Sequence, residues 1–220
     1  MLGSNEDNMQ REERFIKTDA SKFHYIVYTP DKINDKMPVL LFLHGIGERG
    51  DNIKDIEKYA LPKYLNKIEI PYIVIAPQCL NNNFWEYHLR DVIKILEIEY
   101  ERYNYDKERI CILGCSMGSY GAWNYIIERP NIFKGIVSVA GGIMLPIKEN
   151  LLLIKDKPML LYHGDNDDVV DVNESITAYN KLKEIGSENI ELRVIKDDNH
   201  YLCSHAFKDK YLFEWLERNI

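Results

Sequence analysis

One stretch, in which a short strand turns at once into a helix around a serine, constrains the fold more than any other part of this 220-residue chain. The apolar run Ile110–Leu113 suits a buried strand, and Tyr120–Glu128 is compatible with a helix. Between them, Gly114–Gly118 fits the pattern G-x-S-x-G around Ser116. So tight a turn strains the serine backbone and requires small residues two positions away on either side. The stretch predicts a nucleophile elbow with Ser116 as nucleophile at a helix N-terminus; the alternative is a glycine-rich turn that contains a serine by chance.

Length and composition limit the classes of protein to consider. A chain of 220 residues is predicted to form one domain with a large core, and 45% apolar with 29% charged residues is typical of a globular protein. The net charge of −7 gives no basic surface for nucleic acid or an anionic membrane. No apolar run approaches the ~20 residues of a membrane-spanning helix. We therefore expect neither binding of nucleic acid nor insertion into a membrane.

The N-terminus and the cysteines bear on localisation. Residues 1–14 are polar and acidic, and we expect a disordered lead-in there, followed by a single domain over residues 15–220. The lead-in lacks the apolar core of a signal peptide, which favours a cytoplasmic protein, although secretion stays open if a signal peptide has been removed. No cysteine pair has disulfide or C-x-x-C spacing, so all four are expected to be reduced. They are Cys79, Cys111, Cys115 and Cys203.

Strands alternate with helices along the chain, which predicts an α/β fold with a mostly parallel central sheet flanked by helices. Apolar or alternating runs predict strands at Phe23–Thr29, Val39–Leu43, Tyr72–Ala76, Ile110–Leu113, Phe133–Ala140, Pro158–Tyr162 and Ile190–Ile195. Helices are predicted at Asp51–Lys67 with a break near Pro62, Tyr87–Tyr103, Tyr120–Glu128, Glu174–Ile185 and Ala206–Arg218.

A serine becomes a good nucleophile only when a base takes its proton and a third group orients that base. In an open parallel sheet these groups lie beyond the carboxyl ends of strands. The loop His163–Asp171 follows one strand and offers several aspartates, and His200 follows the next strand just before the last helix. The chain order Ser116, aspartate, His200 is the order of an α/β-hydrolase, unlike those of chymotrypsin and subtilisin.

The other histidines suit the role of base less well. His205 is the second choice, but it falls in or beside the last helix. His44 and His163 each precede a glycine after a strand, where a structural role is expected, and His24 and His88 are expected at the surface. The aspartate-rich loop lacks the glycine and glutamate of an EF-hand, so no metal site and no cofactor are predicted.

Acyl transfer also requires donors for an oxyanion. One is expected to be the N–H of Met117, directly after the nucleophile, and the other the N–H of Ile46, in the loop after Val39–Leu43. Gly45 beside Ile46 lets the backbone approach a substrate. Trp85 and Tyr120, with Tyr201 as a further candidate, are expected to form apolar walls of the substrate site.

With these segments identified, the chain resembles small α/β-hydrolases of the carboxylesterase, phospholipase and dienelactone-hydrolase-like group, and most closely the branch described as predicted peptidases or feruloyl-esterase-like enzymes. The matching segments are Leu43–Asp51, Ala76–Cys79 with Trp85, Asp106–Trp123, His163–Asp167, Asn199–His200 and Ala206 with Phe213–Leu216. The resemblance implies Ser116 as nucleophile, His200 as base and Asp167 as acid, with the neighbours Asp165 and Asp168 left open. The chain departs from the family pattern at Asp168, Ser119 and Asn199.

Only residues 143–157 separate the strand after the elbow from the next, too few for a substantial lid. An open site suits short-chain or aromatic esters, so the expected function is that of a serine carboxylesterase acting on small-molecule esters through an acyl-enzyme. Feruloyl or acetyl-xylan esterase, thioesterase and serine peptidase activities stay open, as does a non-catalytic binding role on the same fold. The sequence specifies neither the acyl and alcohol groups nor the oligomeric state.

Overall fold

The apolar runs form the strands of one eight-stranded sheet in a computed structural model that describes residues 9–18, 22–144 and 148–220. The strands are β1 (Gln10–Lys17), β2 (Lys22–Thr29), β3 (Val39–Leu43), β4 (Ile73–Pro77), β5 (Ile110–Cys115), β6 (Gly135–Val139), β7 (Met159–Gly164) and β8 (Ile190–Ile195). Their order across the sheet is β1-β2-β4-β3-β5-β6-β7-β8. The pairs β1–β2 and β2–β4 are antiparallel and every other neighbouring pair is parallel, which confirms the predicted mostly parallel sheet.

Helices cover both faces of this sheet. They are α1 (Ala60–Leu65), α2 (Leu89–Tyr103), α3 (Met117–Glu128), α4 (Lys148–Leu152), α5 (Asn173–Glu184), α6 (Leu202–His205) and α7 (Lys210–Asn219), with 3₁₀ turns at Ile46–Glu48, Ile53–Glu57, Trp85–Tyr87 and Ala206–Lys208. In the interval between β6 and β7, the described residues include the five-residue α4. Within the described ranges, every helix is too short or too polar to span a bilayer.

The central strands are buried on both faces, which explains their continuous apolar sequence. In β3, Leu41 and Leu43 point to the same side as the apolar residues of α2, α3 and α5, whereas Leu40 and Phe42 point towards α1 and α7. All four side chains are fully buried. The loops that follow β3, β5, β7 and β8 hold the residues of the candidate site.

The segment predicted as a helix over Asp51–Lys67, broken near Pro62, forms two short elements, the 3₁₀ turn Ile53–Glu57 and α1. The helical conformation is interrupted at Ala60, whose φ of 53° lies in the left-handed region. Pro62 is tolerated because it lies in the first turn of α1, where its missing N–H would have no helical acceptor.

The helix predicted over Ala206–Arg218 is divided in the same way. A 3₁₀ turn ends at Lys208, and α7 starts after Asp209, whose side chain accepts a hydrogen bond from Tyr211 N–H. This N-cap makes a new helix start more favourable than continuation of the old one.

The disordered lead-in expected over residues 1–14 is wrong for residues 10–14, which belong to β1 and pair with β2. Their charged side chains have partners far along the chain: Arg11 contacts Glu57 at 2.8 Å, and Arg14 contacts Glu99. Local composition carries no sign of such distant pairs, and for that reason the segment looked unstructured. Residues 1–8 lie outside the described residues, and a single domain over residues 15–220 stays a prediction.

Candidate active site

Ser116 stands between the end of β5 and the start of α3 with φ 53° and ψ −122°, a conformation that a non-glycine residue rarely adopts. The close packing around it requires the flanking glycines. A Cβ on Gly114 would lie 2.1 Å from Gly118 O, and one on Gly118 would lie 1.9 Å from Leu43 O. The strained turn therefore exists because α3 crosses β5 and β3 at backbone contact distance.

His200 and Asp167 lie in line with this serine. His200 Nε2 is 3.0 Å from Ser116 Oγ, and His200 Nδ1 is 2.8 Å from Asp167 Oδ2. A carboxylate can only accept, so the ring proton is on Nδ1 and Nε2 is free to accept from the hydroxyl. An imidazole in this tautomer, held by a carboxylate, can take a proton from a serine hydroxyl.

Backbone contacts between the loops after β7 and β8 bring Asp167 and His200 together. Asn166 N–H donates to Asp198 O at 2.9 Å, and Asp197 N–H donates to Asp165 Oδ1 at 2.7 Å. Of the three candidate aspartates, Asp165 is therefore engaged by the neighbouring loop. Asp168 is exposed, and Asp167 is the one that contacts the imidazole.

The Asp167 carboxylate is fully buried, yet it has enough donors to remain ionised. Burial raises its pKa, but hydrogen bonds from Val170 N–H, from His200 and from Val169 N–H outweigh burial and hold the pKa below its ordinary value. It is therefore ionised at neutral pH, as an orienting group for an imidazole must be.

Two backbone N–H groups beside Ser116 are available to a ligand. Ile46 and Met117 are each the first residue of a helix, where N–H groups have no helical acceptor. Among the hydrogen bonds of the described residues, neither group donates one. These are the two expected oxyanion donors.

The orientation of the Ile46 N–H depends on His44. The His44 ring is fully buried, its Nδ1 donates to Gly45 O at 2.6 Å, and its Nε2 accepts from Cys79 N–H at 2.9 Å. Burial lowers the pKa of His44 to about 4, so the ring is neutral at neutral pH. Because Gly45 O and Ile46 N–H belong to one peptide unit, this bond fixes where the N–H points, in agreement with the structural role expected for His44.

Glu48 is a buried acid that is not among the site residues predicted from the sequence. Its carboxylate lies under the same loop: a Cβ on Gly45 would be 3.3 Å from Glu48 Oε2 and 3.6 Å from Ser116 Cβ. Burial raises the pKa of Glu48 to about 7. Gly45, expected to bind substrate, is itself buried between these two side chains.

The prediction that Trp85 forms an apolar wall of the substrate site is wrong. Its side chain is fully buried and donates to His44 O at 3.0 Å. It also packs on Gly121, where an added Cβ would be 2.5 Å away, so Trp85 supports the loop after β3 from the interior of the protein. Tyr120 is half-buried, and burial, with the nearby charges of Glu174 and Asp167, raises the pKa of its phenol to about 12. Tyr201 is exposed beside His200.

The remaining histidines differ from expectation in two cases. His88, expected at the surface, is buried against Phe23 at 4.8 Å between ring centroids; the sequence alternates too little there to reveal this contact. His163 was expected only to shape a turn, but it also lies 3.3 Å from Asp167 Oδ2. The spacing of four residues between them was the available signal. His205 pairs with Asp198 at 2.7 Å.

The four cysteines are free thiols. A hydrogen bond with Cys203 and burial raise the pKa of Cys115 well above its ordinary value, so this neighbour of Ser116 stays a protonated thiol. Within the described residues, no group of three or more His, Cys, Asp or Glu side chains is arranged to hold a metal ion.

Known structures share this architecture. A thermostable esterase is 29% identical with a TM-score of 0.81; the match covers 94% of this chain and 62% of the esterase, so this chain spans less than two thirds of that protein. A ferulic acid esterase is 17% identical with a TM-score of 0.75, over 97% of this chain and 100% of the other. The acylaminoacyl peptidase of Pyrococcus horikoshii is 19% identical with a TM-score of 0.73, over 97% and 42%.

No sequence match was found among curated proteins. The model of the phospholipase/carboxylesterase family, however, matches residues 24–213, most of the chain. The fold expected from the resemblance is thereby confirmed, and the chain belongs to the phospholipase/carboxylesterase family of α/β-hydrolases.

Proposed function

We propose that the protein is a serine carboxylesterase in which Ser116 is the nucleophile, His200 the general base and Asp167 the group that orients the base. The proposal is carried by one observation, the continuous hydrogen-bonded line from Ser116 Oγ through the imidazole to the Asp167 carboxylate, at 3.0 and 2.8 Å. Membership of a hydrolase family supports the same chemistry.

In this mechanism Ser116 Oγ attacks the ester carbonyl while His200 Nε2 takes the hydroxyl proton. The carbonyl oxygen becomes an oxyanion that accepts hydrogen bonds from the N–H groups of Ile46 and Met117, each worth roughly 10²–10³ in rate. His200 then gives its proton to the leaving alcohol, and an acyl-enzyme remains. Water attacks the acyl-enzyme with His200 again as base, which releases the acid and restores Ser116.

The substrate class is proposed from the rim of the site. Exposed apolar side chains occur on loops that follow five strands at the carboxyl edge of the sheet: Ile46, Phe84, Met144, Val169 and Tyr201. Such a rim favours short-chain or aromatic acyl groups. Tyr120 is proposed to contact the substrate beside Ser116, whereas Gly45 is buried and shapes the loop that carries Ile46. The same catalytic groups can hydrolyse feruloyl esters, thioesters and peptides, so the experiment below includes these substrates.

The test is hydrolysis of p-nitrophenyl esters from acetate to palmitate, with methyl ferulate, an acyl thioester and a peptide anilide alongside. We expect the highest kcat/KM on a short-chain or aromatic ester, and loss of at least about 10⁴ in Ser116→Ala. Ser187→Ala is the matched control, since the buried hydroxyl of Ser187 has no hydrogen-bond partner among the described residues. Ser187 precedes the N-terminal end of β8, whereas the candidate site lies at the carboxyl ends of the strands. Activity that survives in Ser116→Ala would exclude Ser116 as nucleophile.

The acid is tested separately. Asp167→Asn leaves a neutral amide against His200 Nδ1 and removes the preference for the productive tautomer, so kcat should fall by about 10³–10⁴. Asp168→Asn is the same change one residue away on an exposed side chain and should leave kcat within about twofold. Equal losses in the two variants would contradict the assignment.

A further inference from the structure

His163, a buried residue that the mechanism above does not use, makes three polar contacts with its neighbours. Its Nδ1 is 2.7 Å from Ser175 Oγ, and its Nε2 is 2.9 Å from Val170 O and 3.3 Å from Asp167 Oδ2. Ser175 Oγ is in turn 2.7 Å from Gly141 O. The side chains of His163 and Asp167 have no solvent exposure.

Counting hydrogens decides how the His163 ring is protonated. Gly141 O can only accept, so the single hydroxyl hydrogen of Ser175 points at it, and Ser175 Oγ must accept from His163 Nδ1. Val170 O also only accepts, so His163 Nε2 carries a hydrogen as well. A ring that donates from both nitrogens therefore gives each of these contacts one hydrogen.

Either neutral form of the ring would leave two buried acceptors facing each other. Without the Nε2 hydrogen, a nitrogen lone pair would face Val170 O at 2.9 Å. Without the Nδ1 hydrogen, Ser175 would donate to the ring, and its oxygen would face Gly141 O at 2.7 Å with no hydrogen between them. An unmade buried hydrogen bond is unfavourable, whereas a buried cation beside a carboxylate is compensated.

We propose that His163 is a cationic positioning residue of the site, doubly protonated beside Asp167 Oδ2, the same oxygen that His200 Nδ1 contacts, and that it limits how strongly Asp167 increases the basicity of His200. The proposal rests on the assignment of Asp167 and His200 under the proposed function. The physical reason is that a carboxylate beside an imidazole favours the protonated ring, and a protonated imidazole cannot act as a base.

The other titratable groups around this pair lie on the elements packed against β7. They are His200 after β8, Tyr120 on α3 and Glu174 at the start of α5, and the loop after β7 adds Asp165, Asp168 and Asp171; the described residues of β6 contribute none. Among the described residues, His163 is thus the one cation besides a protonated His200 in contact with Asp167.

The first experiment compares the pH dependence of kcat/KM in the wild type and in His163→Gln, in which an amide donor replaces a charged ring. Loss of the positive charge stabilises protonated His200, so the acid limb should move to higher pH. The ring nitrogens of His163 and His200 that face Asp167 lie within about 6 Å of each other, which predicts a shift of about 0.5 to 2 units for effective dielectric constants of about 80 to 20.

His88→Gln is the matched control, because it removes another buried histidine that packs on Phe23 and has no contact with Asp167. Its acid limb should coincide with that of the wild type. A purely structural role of His163 would lower activity at every pH without moving the limb, and that result would overturn the proposal.

The second experiment needs neither a variant nor activity. Neutron diffraction from deuterated crystals of the wild type at neutral pH should show deuterium on both Nδ1 and Nε2 of His163. A bare ring nitrogen would overturn the proposal. The two hypotheses fail differently: activity retained in Ser116→Ala would reject the esterase mechanism, whereas an unmoved acid limb in an otherwise Ser116-dependent enzyme would reject only the role of His163.

Discussion

Several buried titratable side chains surround Ser116, and each is compensated in a different way. Asp167 has hydrogen bonds that hold its pKa below the ordinary value, and burial lowers the pKa of His44 to about 4, which leaves a neutral ring with two backbone partners. Glu48 has no salt bridge among the described residues, and burial raises its pKa to about 7. Of the three, Glu48 alone has a pKa near neutral pH.

We therefore predict that Glu48→Gln stabilises the protein in alkaline but not in acidic solution. The pKa of Glu48 rises from 4.5 in the unfolded chain to about 7 in the fold, so the native state binds the proton more tightly. Stability is then lost as pH rises through this window, by up to about 3 kcal/mol. Urea denaturation at pH values on either side of the window should show the gain on the alkaline side only.

Glu86→Gln is the control, because Glu86 is an exposed acid in a comparable 3₁₀ turn. It should change the free energy of unfolding by less than about 0.5 kcal/mol at either pH. An equal gain for Glu48→Gln on both sides of the window would mean that burial does not penalise this carboxylate.

At the scale of elements, the site depends on how closely α3 approaches β3 and β5. We predict that Gly118→Ala destabilises the fold by about 3 kcal/mol or more, because its Cβ would lie 1.9 Å from Leu43 O and backbone atoms cannot rotate away. Gly47→Ala is the matched change, since a Cβ there meets nothing within 4 Å. It should change the free energy of unfolding by less than about 0.5 kcal/mol, measured by urea denaturation. Similar unfolding curves for the two variants would contradict close packing at the elbow.

The elements also show what a sequence can and cannot reveal. The elbow was predictable because its determinants, an apolar run and two glycines around Ser116, are adjacent in the chain. The loop that carries His200 was predictable from the rule that sites lie at the carboxyl ends of strands. The burial of Trp85 was not predictable, because it depends on contacts with Gly121 and His44 on other elements. The choice among three neighbouring aspartates was not predictable either, because it depends on contacts between two loops.

In the molecule as a whole, β1 is the strand that its own amino-acid composition predicts least well. It lies at one edge of the sheet, and its most buried charge, Arg14, contacts Glu99 on α2. The Glu99 side chain has no solvent exposure and also accepts from Tyr25 Oη at 2.7 Å. A charge buried this deeply requires its partners, so the edge strand and a central helix are coupled through one carboxylate.

We predict that Arg14→Met lowers the free energy of unfolding by about 3 kcal/mol, because Glu99 stays buried and, among the described residues, keeps as partners Tyr25 and a more distant Arg102, at 3.5 Å. Lys17→Met, on the exposed part of β1, should have little effect.

The double variant Arg14→Met/Glu99→Gln separates loss of an ion pair from loss of packing. With the buried charge also removed, it should recover more than half of the stability lost in Arg14→Met, because the amide still accepts from Tyr25 and no longer requires a cation. Urea denaturation of the wild type, both single variants and the double variant gives the coupling energy directly. If the two losses simply add, Arg14 contributes through packing alone, and the charge of Glu99 does not hold β1 on the sheet.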